Sequence, residues 1–213
     1  MDKNKTFDIP IVLFIFKRVD KTQLIIKRIS EIRPKKIYII ADGPRDITEA
    51  EVVNRCRQMI EESIDWECEI IKNYSQNNRG VYENIGEGAK WVFKKEEQAI
   101  FLEDDNLPDL SFFDFCKEML SEYRSDDRIL WICGTNYLEE FENKENTSYV
   151  FTQHLLPCGW ASWSDKFLKY YDGNLNKLDN DGLQKIKSTY KNRSLFIQQS
   201  QLMINEKKRI EKN

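Results

Sequence analysis

The chain reads as an α/β protein built on a mostly parallel sheet with helices on both faces. Three observations predict this. Apolar runs of strand length alternate with segments of helical periodicity four times in about the first hundred residues. The connections between them are short, as crossovers on a parallel sheet allow. Three of the expected strands end in polar clusters, Lys17-Arg18, Asp42-Gly43 and Glu103-Asp104-Asp105, which parallel strands would gather along one edge. At 213 residues the chain is long enough for one sizeable domain, or one domain with a small annex. The expected division is residues 1–135 as the α/β core and 136–213 as a second region with a helical tail.

Residues 10–16 are rich in Ile, Val and Phe and predict a central strand. Asp20 and Gln23 have capping-box spacing, Ile25, Ile29 and Ile32 would form one apolar stripe, and Pro34 would end the helix. Residues 36–41 predict a second buried strand, halted by Asp42-Gly43-Pro44-Arg45. Thr48 and Glu51 repeat the capping spacing, with Val52, Cys56, Met59 and Ile60 on the inner face of the next helix. Residues 67–72 alternate weakly as a third strand, and the polar loop 73–80 follows. Val81, Ile85, Gly88 and Val92 mark the buried side of a helix reaching about residue 95. Gly86 and Gly88 weaken it by about 1 kcal/mol each unless close packing compensates.

Ala99, Ile100, Phe101 and Leu102 form a short run that reads as a strand buried on both faces, and it stops at three consecutive acids. A buried strand cannot carry charge past its end, so the acids belong at its carboxyl edge, where open α/β sheets bind ligands. Adjacent carboxylates there repel unless a cation or a set of donors neutralises them, and their hard oxygens suit Mg²⁺ or Mn²⁺ arriving with a phosphate. The competing reading is a solvated acidic turn before Pro108; the buried strand in front of the acids favours a site.

Residues 111–123 predict a helix with Phe112, Cys116, Met119 and Tyr123 inward, and residues 129–133 another strand. Residues 136–146 read as an acidic surface excursion, and residues 149–153 recover a β pattern. Trp160 and Trp163 read equally well as core filler or as a sugar platform. In residues 195–204, Leu195, Phe196, Ile197, Leu202, Met203 and Ile204 could form an amphipathic stripe before the basic Lys207-Lys208-Arg209. A solvated tail is the simpler reading of it, with partner docking or peripheral contact with an anionic membrane surface as the alternative.

The formal net charge is −3 with acids and bases nearly balanced, so nothing points to nucleic acid as a partner. The 5 cysteines, Cys56, Cys68, Cys116, Cys133 and Cys158, are scattered and form no CxxC pair, which fits reduced thiols in the cytoplasm better than disulfides or zinc. No signal peptide is visible, and residues 9–16 are too few to span a bilayer. The single histidine, His154, leaves little material for a multi-histidine metal site or a Ser-His-Asp triad and reads as a packed residue, or one that supports a site from behind it, rather than a lone catalyst.

The strand ending in Arg18, the strand ending in Ala41-Asp42-Gly43, the loop Asn78-Arg79-Gly80, Glu103-Asp104-Asp105 and Gly159-Trp160-Ala161-Ser162-Trp163 together resemble nucleotide-diphospho-sugar glycosyltransferases of the GT-A fold. The resemblance is to bacterial family 2-like enzymes and, more distantly, to type I N-acetylglucosaminyltransferases, and it covers residues 10–171. It implies a Rossmann-like sheet whose first region binds the nucleotide sugar, followed by a short or truncated acceptor-side region. The implied activity is transfer of a sugar from a nucleoside-diphosphate donor, a UDP-sugar by this likeness, to an acceptor hydroxyl. The implied chemistry is inverting and metal-dependent, with a carbohydrate or glycolipid acceptor, in bacterial surface polysaccharide or glycoconjugate synthesis, in the cytoplasm or peripheral at the inner membrane face.

Carried over by position, Asp105 would ligate Mn²⁺ or Mg²⁺, and Asp104 would contact the ribose or the metal shell. Glu103 would face the donor sugar, Asp42 would recognise the base, and Arg18 would lie near the phosphates. Arg79 and Gly80 would approach the donor, and Gly159 and Trp160 would shape the sugar and acceptor pocket. The family's base lies in a Trp-Asp stretch after the Gly-Trp segment, and a later metal-contacting histidine often follows. After Trp163 this chain shows neither, so Asp165 is the candidate base, with Asp172 the next acid. The alternative is a catalytically silent or truncated nucleotide-sugar-binding domain acting as an assembly partner. A sugar nucleotidyltransferase would need a Gly-rich phosphate loop after the first strand, and an aspartyl phosphatase an acid there; Phe16-Lys17-Arg18-Val19-Asp20 supplies no such loop, and the strand ends in Lys17-Arg18 rather than in an acid.

Overall fold

The computed structural model describes residues 6–137, 147–153 and 155–212, and among these six strands and seven helices form. The elements are β1 (Ile11–Ile15), α1 (Val19–Ile32), β2 (Lys36–Ala41), α2 (Ile47–Glu62), β3 (Glu69–Tyr74), α3 (Gly80–Phe93), β4 (Gln98–Glu103), α4 (Leu110–Glu122), β5 (Ile132–Cys133), β6 (Trp160–Trp163), α5 (Ser164–Tyr170), α6 (Asn180–Thr189) and α7 (Arg193–Ile210). They divide into two compact units, residues 1–169 and 170–213. The boundary drawn from sequence at residue 135 falls between β5 and β6, which pair in one sheet.

The first unit is an α/β sheet in the order β3-β2-β1-β4-β6-β5. β3, β2, β1 and β4 run parallel, while β6 runs antiparallel to both β4 and β5. The sheet is therefore mixed, with four parallel strands in sequence and β6 antiparallel to its neighbours. β1 is an unbroken run of Ile, Val, Leu and Phe, and β4 is apolar from Ala99 to Leu102, because both faces are covered. On one face Ile11, Leu13, Ile39, Ile100 and Trp163 join Ile25 and Ile29 of α1, Cys56 and Ile60 of α2, and Phe113 and Cys116 of α4. On the other, Phe101 stacks on Phe14 and Trp160 and meets Phe93 of α3. Gly88 lets α3 close on the sheet: a Cβ there would lie 3.0 Å from Phe14 and 3.1 Å from Ile40.

Several local expectations shift. The α1 N-cap is Arg18, with Asp20 in the first turn, where a negative charge suits the helix dipole. α2 is capped by Asp46, which accepts from the Thr48 and Glu49 amides, so its inward residue is Val53 rather than Val52. Val81 is exposed because Gly80 opens α3 with that turn facing out. Residues 149–153 form no strand; Tyr149 and Phe151 instead pack edge to face with Tyr123. Residues 138–146 of the acidic excursion and His154 lie outside the described residues.

In the second unit, α6 and α7 are capped by Asp179 and Asn192, which accept from the Gly182 and Leu195 amides. The α7 stripe is divided: Ile197 and Leu202 are exposed, while Leu195, Phe196, Met203 and Ile204 are half-buried. Among the described residues no helix is long and apolar enough to cross a membrane.

Candidate functional site

The strand order reverses between β1 and β4. β1 leads outward to β2 and β3, and the chain then returns across the sheet to β4. In open α/β sheets that switch point opens a crevice at the carboxyl ends of the strands. Here it is bordered by Arg18 after β1 and by Glu103, Asp104 and Asp105 at the end of β4.

Those residues are in contact. The Arg18 guanidinium donates through Nη2 to Asp104 Oδ1 and through Nη1, at 2.9 Å, reaches Asp105 Oδ2. Asp104 is only 3% exposed, whereas Arg18 and Asp105 are 49% and 45% exposed. The other Asp104 oxygen, Oδ2, is buried without a hydrogen-bond partner. Burial raises the Asp104 carboxyl above the usual range, although Arg18 pulls it back. The Glu103 carboxyl is raised too, first by burial and then by the charges of Asp105 and Asp104. The neighbouring cation Lys17 turns away to Glu49 at 2.5 Å.

Asn106 completes this tip, a role the sequence did not disclose. Its Oδ1 accepts the Glu103 amide at 3.2 Å and the Gly159 amide at 3.1 Å, which ties the end of β4 to the entry of β6. Gly159 makes that turn at φ +68°, a conformation side-chain-bearing residues rarely adopt.

A second cluster forms beyond β2, the other neighbour of β1. Asp42 accepts from four donors, the amides of Gly43, Arg79 and Gly80 and the side chain of Asn78, at 2.7 to 3.0 Å. It is 5% exposed, and four donors fill a carboxylate's capacity. The implied role of Asp42 in reading a base thus meets a carboxylate already committed to its own loops: it caps α3, whose first residues lack a cap of their own. Arg57 of α2, absent from the sequence reading, donates to the Asp42 carbonyl at 3.0 Å and the Ser75 carbonyl at 2.7 Å and stacks on Tyr74. No spacing pattern announces a contact from mid-helix to two strand ends. Arg79 reaches Asn73 at 3.3 Å, and its buried Nε is without a partner.

Of the residues expected at the site, Trp160 is enclosed, and the two downstream acids lie elsewhere. Trp160 is 4% exposed and stacked between Phe101 and Trp131, at 4.0 and 3.7 Å between ring centroids, so of its two readings the core filler holds. Asp165 follows β6, and because β6 is antiparallel its end lies at the start of β4, where the Ser164 amide donates to Glu97. With about 3.3 Å per residue, the length of β4 puts it roughly 16 Å along the sheet from the acidic tip. There it pairs with Arg124 at 3.1 Å. Asp172 belongs to the second unit, where it accepts the Lys177 amide of a local turn.

Among the described residues no group of three or more Asp, Glu, His or Cys side chains closes on an ion-sized position. Asp105 and the unpartnered Asp104 oxygen nonetheless fit a divalent ion of the kind that takes one or two carboxylates and fills its shell from substrate phosphates. No protein-family model matches the chain, and no curated protein matches it well enough to be reported as a relative.

Proposed function

We propose that the chain is a GT-A-type glycosyltransferase that binds a nucleoside-diphosphate sugar, a UDP-sugar by its resemblance, at the β1–β4 edge and transfers the sugar to an acceptor hydroxyl. The observation that carries this reading is the acid tip of a buried strand placed beside Arg18 at the switch point. The first-turn amides of α1, which has no side-chain cap, open at the same edge and favour an anion there. Arg18 would hold a phosphate oxygen of the donor, and Glu103 would lie on the sugar side. Asp105 and Asp104 would hold Mn²⁺ or Mg²⁺, which when bound offsets the charge of the departing diphosphate. A carbohydrate or glycolipid of a bacterial surface polymer is the proposed acceptor.

A second reading, a nucleotide-sugar-binding domain that does not turn over, is favoured by one observation: Asp165, the candidate base, stands at the far edge of the sheet. Calorimetric titration of UDP, UDP-glucose and UDP-N-acetylglucosamine, with and without Mn²⁺, tests the site both readings share. Binding should require the metal and fall at least tenfold in Asp105→Ala; unchanged affinity in that variant refutes the assignment. Sugar transfer across a panel of acceptors then separates enzyme from silent domain.

A further inference from the structure

We propose that Arg18 is an exchangeable internal counter-ion, which keeps a lone divalent cation off Asp104 and Asp105 and releases them when a diphosphate takes its guanidinium. This rests on the reading of the β1–β4 edge as a diphosphate site.

The geometry is that of a bridge, since one guanidinium spans two carboxylates through separate nitrogens. Its burial is uneven. Asp104 is enclosed, but Arg18 and Asp105 are each nearly half exposed, and ion pairs so open to water contribute only about 0 to 1 kcal/mol. The Arg18–Asp105 arm can therefore be opened at small cost. Leaving Asp104 bare is different, because a buried carboxylate without a cation is strongly unfavourable. Whatever removes Arg18 must be accompanied by a replacement positive charge.

The charges also fail to balance, with two carboxylates sharing one guanidinium and Asp104 Oδ2 left without a partner. Arg18 has N–H groups beyond the two that face the acids, and its open side can offer them to phosphate oxygens in the paired geometry that guanidinium favours. A metal arriving alone would expel Arg18 into water. Arriving with a diphosphate, it takes over the carboxylates while Arg18 gains a new anionic partner. Metal and diphosphate must then tighten one another by the same factor, as linkage requires.

The test is binding of Mn²⁺ alone, followed by electron paramagnetic resonance, to the wild type, Arg18→Gln, Arg18→Lys and the double variant Arg18→Gln/Asp105→Asn. Arg18→Gln should bind Mn²⁺ at least about fivefold more tightly than wild type, the low end of ordinary coupling. The gain should vanish in the double variant. Equal or weaker affinity in Arg18→Gln, or a gain that survives in the double variant, overturns the proposal. Should Arg18→Gln not fold, Arg18→Lys carries the test. A point charge cannot span both acids, so an intermediate gain is expected and none overturns it. With inorganic pyrophosphate added, Mn²⁺ affinity should rise more in wild type than in Arg18→Gln, and an equal rise also overturns it. Because the metal-alone arm contains no nucleotide or sugar, failure of every nucleotide sugar to bind would refute the proposed function without touching this result. Donor binding with equal Mn²⁺ affinity in wild type and Arg18→Gln would refute only the role of Arg18.

Discussion

Glu103 shows what one residue gives up to serve this edge. It ends a strand whose preceding residues are buried, so its carboxylate is held half out of water next to two further acids. Its folded-state pKa is raised, which means the folded chain binds a proton more readily than the unfolded chain does. The resulting loss of stability is absent below the unfolded value, about 4.3, grows as pH climbs through the raised value, and is fully present above it. Glu103→Gln should therefore raise Tm at pH 7, by only about 1 to 2 °C because solvent screens a half-exposed group. The difference should disappear near pH 4. Thermal melts at the two pH values check this, and an unchanged or lower Tm at pH 7 would show that Glu103 is already compensated. The acid tip was legible in the sequence because a charged residue ending a buried run has only one place to go. Asn106 was not, since its two amide partners are 3 and 53 positions away and only folding brings them together.

Between elements, the turn after β2 packs tightly against the loop after β3. A Cβ on Gly43 would stand 2.4 to 2.7 Å from backbone atoms of Asn77, and backbone cannot rotate aside as a side chain can. Gly43→Ala must push the two loops apart, disturbing the four donors on Asp42 at the same time. The expected loss is about 2 kcal/mol, read from urea denaturation as a lower midpoint at unchanged slope. The same comparison shows which elements a sequence discloses. The second strand was placed at residues 36–41, and β2 is Lys36–Ala41, because Pro34 and Gly43-Pro44 bracket an unbroken apolar run. β6 was not anticipated. A four-residue strand with two tryptophans and no flanking turn signal on its far side resembles a ligand platform as much as a core strand, and only its pairing with β4 and β5 decides.

For the whole molecule, that single antiparallel strand determines which parts of the chain can share in chemistry. Parallel strands deliver their carboxyl ends to one edge regardless of distance in sequence, which is why the sequence alone groups Arg18, Asp42 and Asp104. The rule reverses for β6: its entry, Gly159, reaches the site edge through Asn106, and its exit carries Asp165 to the opposite one. Strand direction is a property of pairing and has no local signature, so Asp165 looked eligible from its position in the chain alone. Consequently Asp165→Ala should leave metal-dependent nucleotide-sugar affinity and any sugar transfer within about twofold of wild type, while Asp105→Ala removes the metal-dependent affinity. Assayed side by side under one set of conditions, the two variants test the topology directly. A loss of transfer in Asp165→Ala with donor binding intact would mean that the acceptor approaches from the amino edge of β4, and the site as drawn here would have to be rebuilt around that edge.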